Sequence, residues 1–228
     1  MNNQQNAGRD RALYEKVKKM APQGVTPMMA TLREQIVLAN NNTTYKFTFN
    51  EQRGGSRRTD ILLSIKDSFY ANGLSLGILV ERKNRPGSGV ITYYPDPFLN
   101  GNTGADAADL ECVYNGQLKA QIDRDVLLDK FSTRRFRRVP QRVSGQASQN
   151  SGGATQYYGV PGEQHTSDGV VYLEPNLVLR GTKSNEFTVT LPQFDVTPSL
   201  VSSDPAYEIS LVMEVHGFLI PGGAGLAN

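Results

Sequence analysis

From residue 31 onward, apolar and polar positions alternate with a period of two. The stretch "TTYKFTFN" sets Tyr45, Phe47 and Phe49 on one side and Lys46, Thr48 and Asn50 on the other. That is the pattern of a strand with one buried and one wet face. "EFTVTL" repeats it with Phe187, Val189 and Leu191 against Thr188 and Thr190. "YEISLVMEVHGFL" extends it, with Tyr207, Ile209, Leu211, Met213 and Val215 facing in and Glu208, Ser210, Glu214 and His216 facing out. "DILLSIK", "GLSLGILVER" and "GVITYY" are more continuously apolar and read as central strands buried on both faces.

Turn chemistry adds one more expectation. Asn115-Gly116 in "YNGQ" fits a type I′ hairpin turn joining "LECVY" to "QLKAQID", because both residues tolerate positive φ. About eight to ten short strands between Gly, Pro and Asn turns, with almost no amphipathic helix after residue 40, predict an all-β antiparallel sandwich or barrel. Before them, Arg9 to Met20 reads as a short helix with Leu13, Val17 and Met20 at helical spacing, ended by Pro22, Gly24 and Pro27. Residues 1–30 are thus a basic N-terminal arm with Arg9, Arg11, Lys16, Lys18 and Lys19, either free or covering one end of a sheet. Residues 31–220 form the sandwich, and residues 221–228 are a Gly-rich, flexible tail. Residues 144–169, rich in Gly, Ser and Gln, cannot supply a core and read as a long exposed loop, with Tyr157 and Tyr158 to pin it.

The totals narrow the chemistry. The 228 residues include one cysteine, Cys112, too few for a disulfide framework or a thiolate zinc site. His165 and His216 lie far apart without metal-ligand spacing, and Asp123, Asp125 and Asp129 lack the Gly and Glu of a calcium loop. No phosphate-binding loop or nucleophile elbow occurs, so the expectation is a protein without catalysis or cofactor. No apolar leader and no run of 18 apolar residues are present, which predicts assembly in the cytoplasm.

Net charge is +2, but it is unevenly spread: +6 over residues 1–58, −3 over 59–133, +5 over 134–142 and −6 over 143–228. The +5 block lies in "FSTRRFRRVPQRV", with Arg134, Arg135, Arg137, Arg138 and Arg142. Read as a strand, this stretch carries guanidinium groups on both faces, so it belongs at an edge, at a subunit contact or against polyanion. Nucleic acid and the carboxylates of a neighbouring copy are both eligible, and the small net charge favours carboxylates.

With "RDRALYEKVKKM" ahead of the strands, long loops between them, the final strand "YEISLVMEVHGFLI" and the tail "PGGAGLAN", the chain resembles jelly-roll structural proteins of virions, the capsid proteins of small tailless viruses and phages. The resemblance implies a jelly roll that self-assembles in many copies, with other virion proteins, into a shell. Its basic arm and arginine stretch would face the packaged nucleic acid. The alternative is a non-catalytic sandwich module binding carbohydrate or another surface ligand, with Tyr157 and Tyr158 at its site.

Overall fold

The computed structural model describes residues 3–52, 57, 59–95, 107–139, 147–149, 155–157, 169–202 and 204–223. Helix α1 (Asn3–Met20) comes first, followed by strands β1 (Met28–Val37), β2 (Thr44–Thr48), β3 (Ser68–Arg82) and β4 (Val90–Thr92). A short helix α2 (Ala107–Leu110) and a 3-10 turn (Glu111–Asn115) lead into β5 (Gln117–Ile122) and β6 (Asp125–Ser132). A second 3-10 turn (Thr133–Phe136) precedes β7 (Ala147–Gln149), β8 (Thr155–Tyr157), β9 (Val171–Arg180), β10 (Asn185–Thr190) and β11 (Tyr207–Ile220).

Among the described residues, two large antiparallel sheets result, with β7 and β8 as a separate pair. One runs β1-β11-β3, with β9 and β4 pairing successive stretches of the free edge of β3; the other runs β2-β10-β5-β6. Setting aside the three-residue strands β4, β7 and β8, the sheets in chain order read 1-8-3-6 and 2-7-4-5. Tyr45, Phe47, Leu118, Phe187 and Val189 from the second sheet share one core with Phe69, Leu74, Leu76, Leu211 and Met213 from the first. This is a sandwich, and the alternating positions face inward as their period predicts.

Several local expectations fail. "LECVY" is helical, not a strand, and Gly116 has φ −89°, so no type I′ turn forms there. The hairpin of β5 instead closes to β6 at Asp123, which takes the positive φ of 58°. "DILLSIK" makes only isolated bridges, Arg33 to Ile61 and Asn50 to Leu63, and leaves Ile61 and Ile65 exposed. "GVITYY" yields a three-residue edge strand, whereas β3 is central and buried on both faces. Within the 144–169 loop, β7 pairs β8. Residues 221–223 are anchored, since Ser68 Oγ donates to Gly223 O and Gly222 N to Asp67 Oδ1.

The outward side of the β1-β11-β3 sheet is covered at both ends. Helix α1 lays Leu13 and Val17, one turn apart, on Tyr70, Phe218 and Ile220, with Tyr14 against Phe218. Met20 stays exposed. At the other end, the segment around Arg57 to Ile61 reaches over Gln35, Glu81 and Ser210: Asp60 accepts from Gln35 N, and Thr59 donates to Gln35 Oε1. Glu81 is buried as a result, and so is Ser210, which was expected in water.

Candidate functional site

The arginine stretch is not a strand beyond Ser132. Phe131 and Ser132 end the edge strand β6, and Ser132 Oγ caps the following turn by accepting from Arg134 N. Phe136 and Thr133 are buried, so the turn is nailed to the core at Phe136 and its arginines are thrown outward. Arg137 meets Glu111 of the same chain as an ion pair without hydrogen-bond alignment at Nε. Arg135 stacks 5.2 Å from the Phe131 ring centroid. Arg138 fixes its backbone through N–H to Tyr93 O and its guanidinium to Arg137 O. Arg134, Arg135 and Arg138 are exposed, and no carboxylate pairs with them among the described residues. Among the described residues, carboxylate pairing therefore takes one arginine of the cluster, Arg137. Arg142 and Tyr158 lie outside the described residues, as do the side chains of Arg9 and Tyr157.

The basic arm is docked. Arg11, Lys16, Lys18 and Lys19 are exposed on α1, and Lys16 Nζ lies 5.8 Å from the centre of the Tyr70 ring. Lys18 and Lys19 in its last turn complement the helix dipole. Tyr70, under the helix, and Ile78, which pairs with β4 next to Tyr93, are eight residues apart on β3. At the rise of an extended strand the two basic groups are thus about 25 Å apart, and the fold does not merge them.

Sequence reasoning missed a cleft of about 420 Å³ on the outward face of the first sheet, between the two coverings. Its floor comes from facing positions of three strands: Thr31 and Arg33 pair with His216 and Glu214, which pair in turn with Gly73 and Ser75. Ser75 Oγ–H donates to Glu214 Oε2 (3.2 Å), so Oγ accepts from His216 Nε2–H (3.1 Å) and Nδ1 accepts from Thr31 (3.3 Å). Burial holds the His216 pKa below its ordinary value, against the opposing pull of Glu214. The only sequence signal was the charged outward side of "TLREQ" and "MEVHG".

This Ser-His-Glu group does not have the order of a catalytic triad. A triad places the carboxylate on the ring nitrogen opposite the serine. Here Glu214 Oε2 lies 3.8 Å from Nε2, the same nitrogen that Ser75 uses. Burial pushes the Cys112 thiol up to about 12, away from nucleophilic chemistry. Asp123, of the acidic turn, accepts from Lys183 Nζ at 2.8 Å. Among the described residues, no three His, Cys, Asp or Glu side chains converge as metal ligands, and no helix is long and apolar enough to cross a membrane.

Comparison with family models, curated proteins and solved structures finds no match to this chain.

Proposed function

We propose that the chain is a structural, self-assembling virion protein of jelly-roll architecture, many copies of which form a shell around a genome. The strand order carries this reading. Orders 1-8-3-6 and 2-7-4-5 mean that the chain changes sheet at every connection between these strands except β5 to β6, which supports the reading of an eight-stranded jelly roll of two Greek keys wound together. That architecture serves shell proteins, and also lectins and other binding folds.

Surface chemistry favours assembly among these uses. Val126 and Leu127 are exposed side by side on β6, an edge of the second sheet. An exposed apolar edge is a surface that a neighbouring copy can cover. The adjacent Arg134, Arg135 and Arg138 supply bidentate donors for carboxylate or phosphate. Helix α1 turns its basic side away from the fold, where packaged nucleic acid would lie. Sedimentation velocity and electron microscopy of the purified protein test the reading, which requires large closed particles.

The open cleft on the first sheet favours a second reading, a non-catalytic binding module. It predicts a monodisperse monomer that retains a small ligand.

A further inference from the structure

The cleft holds a carboxylate at the end of a one-way chain of hydrogen bonds. Thr31 donates to His216 Nδ1, His216 Nε2–H to Ser75 Oγ, and Ser75 to Glu214 Oε2, so each of these donors is spent within the floor. Glu214 Oε1 receives no donor among the described residues, and the Glu214 side chain keeps 18% of its surface exposed. What this chain leaves open is therefore an acceptor. A ligand that completes it must donate.

Charge and walls narrow the ligand further. Arg33 stands directly across from Glu214 on β1, its Nε closed to solvent, and the two opposite charges offset each other without an ion pair. An anion would meet the Glu214 carboxylate and a cation the Arg33 guanidinium, and either would lose hydration on entry. Met29, Ile61 and Phe218 line the opening around the polar floor, and Met29 is 74% exposed and Ile61 54% exposed. A cleft of about 420 Å³ is in the size range of small-molecule sites. We propose that it binds a small uncharged alcohol, the hydroxyl donating to Glu214 and the hydrocarbon lying against Met29, Ile61 and Phe218. The site does not depend on the assembly reading.

Titration of the full-length protein with 1-hexanol, followed through the methyl NMR signals of Met29 and Ile61, tests this. Hexanol should shift both signals saturably. Methyl pentyl ether, an isomer without a donor, should bind about tenfold or more weakly, the worth of a hydrogen bond to a charged group. Hexanoate and hexylammonium should fall behind hexanol by a similar factor, about tenfold. Glu214→Gln exchanges an acceptor-only carboxylate for an uncharged amide, so it should weaken hexanol about three- to tenfold and strengthen hexanoate, a reversal that a merely structural Glu214 would not produce. The ligand series on the parent chain decides the matter if Glu214→Gln fails to fold. The proposal is overturned if hexanol does not saturate, if the ether or either ion binds as tightly, or if Glu214→Gln leaves the affinities for hexanol and hexanoate unchanged.

Discussion

Glu81 and Glu208 stand directly opposite each other on β3 and β11, and the Arg57 guanidinium lies against both. Facing like charges destabilise a sheet, and the Glu81 side chain is only 1% exposed, so the pair is tolerable only with a cation between its members. Gln35 Nε2 and Gly87 N also donate to Glu81. The segment that carries Arg57 is thereby clamped over the outward face of the sheet.

Replacement of Arg57 by Met should therefore cost about 2 kcal/mol, less than for a fully buried pair because Arg57 keeps part of its side chain in solvent. Adding Glu208→Gln should restore most of the loss by removing one of the facing charges. Urea denaturation midpoints measure both effects. An unchanged midpoint for Arg57→Met would contradict the clamp.

Gly116 is needed for close approach, not for an unusual φ. A Cβ there would sit 2.5 Å from Thr190 O, a backbone atom that cannot move aside cheaply. Gly116→Ala and Gly116→Asn should each destabilise by about 1–3 kcal/mol, as overpacking does. A type I′ turn would tolerate Asn far better than Ala, so thermal melts in which only Ala is harmful would support the hairpin that the sequence suggested.

That position shows what was legible beforehand and what was not. Tyr45, Phe47 and Phe49, or Phe187 and Val189, declare their strands because one face is wet and the other dry. In "LECVY", Leu110, Cys112 and Tyr114 alternate like a strand, yet Val113 between them is buried too, and tertiary packing makes the segment helical. The arginine stretch misled for a similar reason: Phe136 anchors a turn, which frees its neighbours from any strand periodicity. Ser210 and His216 read as solvent-facing because nothing local reveals that α1 and the Arg57 segment cover their sheet. The cleft was illegible because Arg33 and Glu214 meet only through strand pairing across the length of the chain.

His216 should make stability depend on pH. Its folded pKa lies below the ordinary 6.5, so the unfolded chain binds the proton more readily. The contribution is fully present above pH 6.5 and is lost as pH falls through the lower folded value. Glu214 on the same strand and Arg33 on β1 face the ring with Thr31 and Ser75 of β1 and β3. His216→Gln should flatten the decline in stability between about pH 7 and pH 5 relative to the parent chain. Equal slopes for the two proteins in denaturant titrations would refute this role.

Arg137 and its three exposed neighbours should separate cleanly. Arg137→Gln removes the Glu111 pair, with both side chains about one-third exposed, and should cost up to about 1 kcal/mol. The triple replacement of Arg134, Arg135 and Arg138 by Gln should leave stability within about 0.5 kcal/mol, since none holds a carboxylate among the described residues. Melting temperatures check this, and a triple variant that fails to fold would mean that the cluster serves the monomer.

Sedimentation velocity of the purified chain over a wide concentration range, with particles imaged by electron microscopy, tests the central claim most directly. The account predicts large closed assemblies that the Arg134, Arg135 and Arg138 triple variant forms poorly despite its intact fold. A monodisperse monomer at every concentration, with and without nucleic acid, would contradict it.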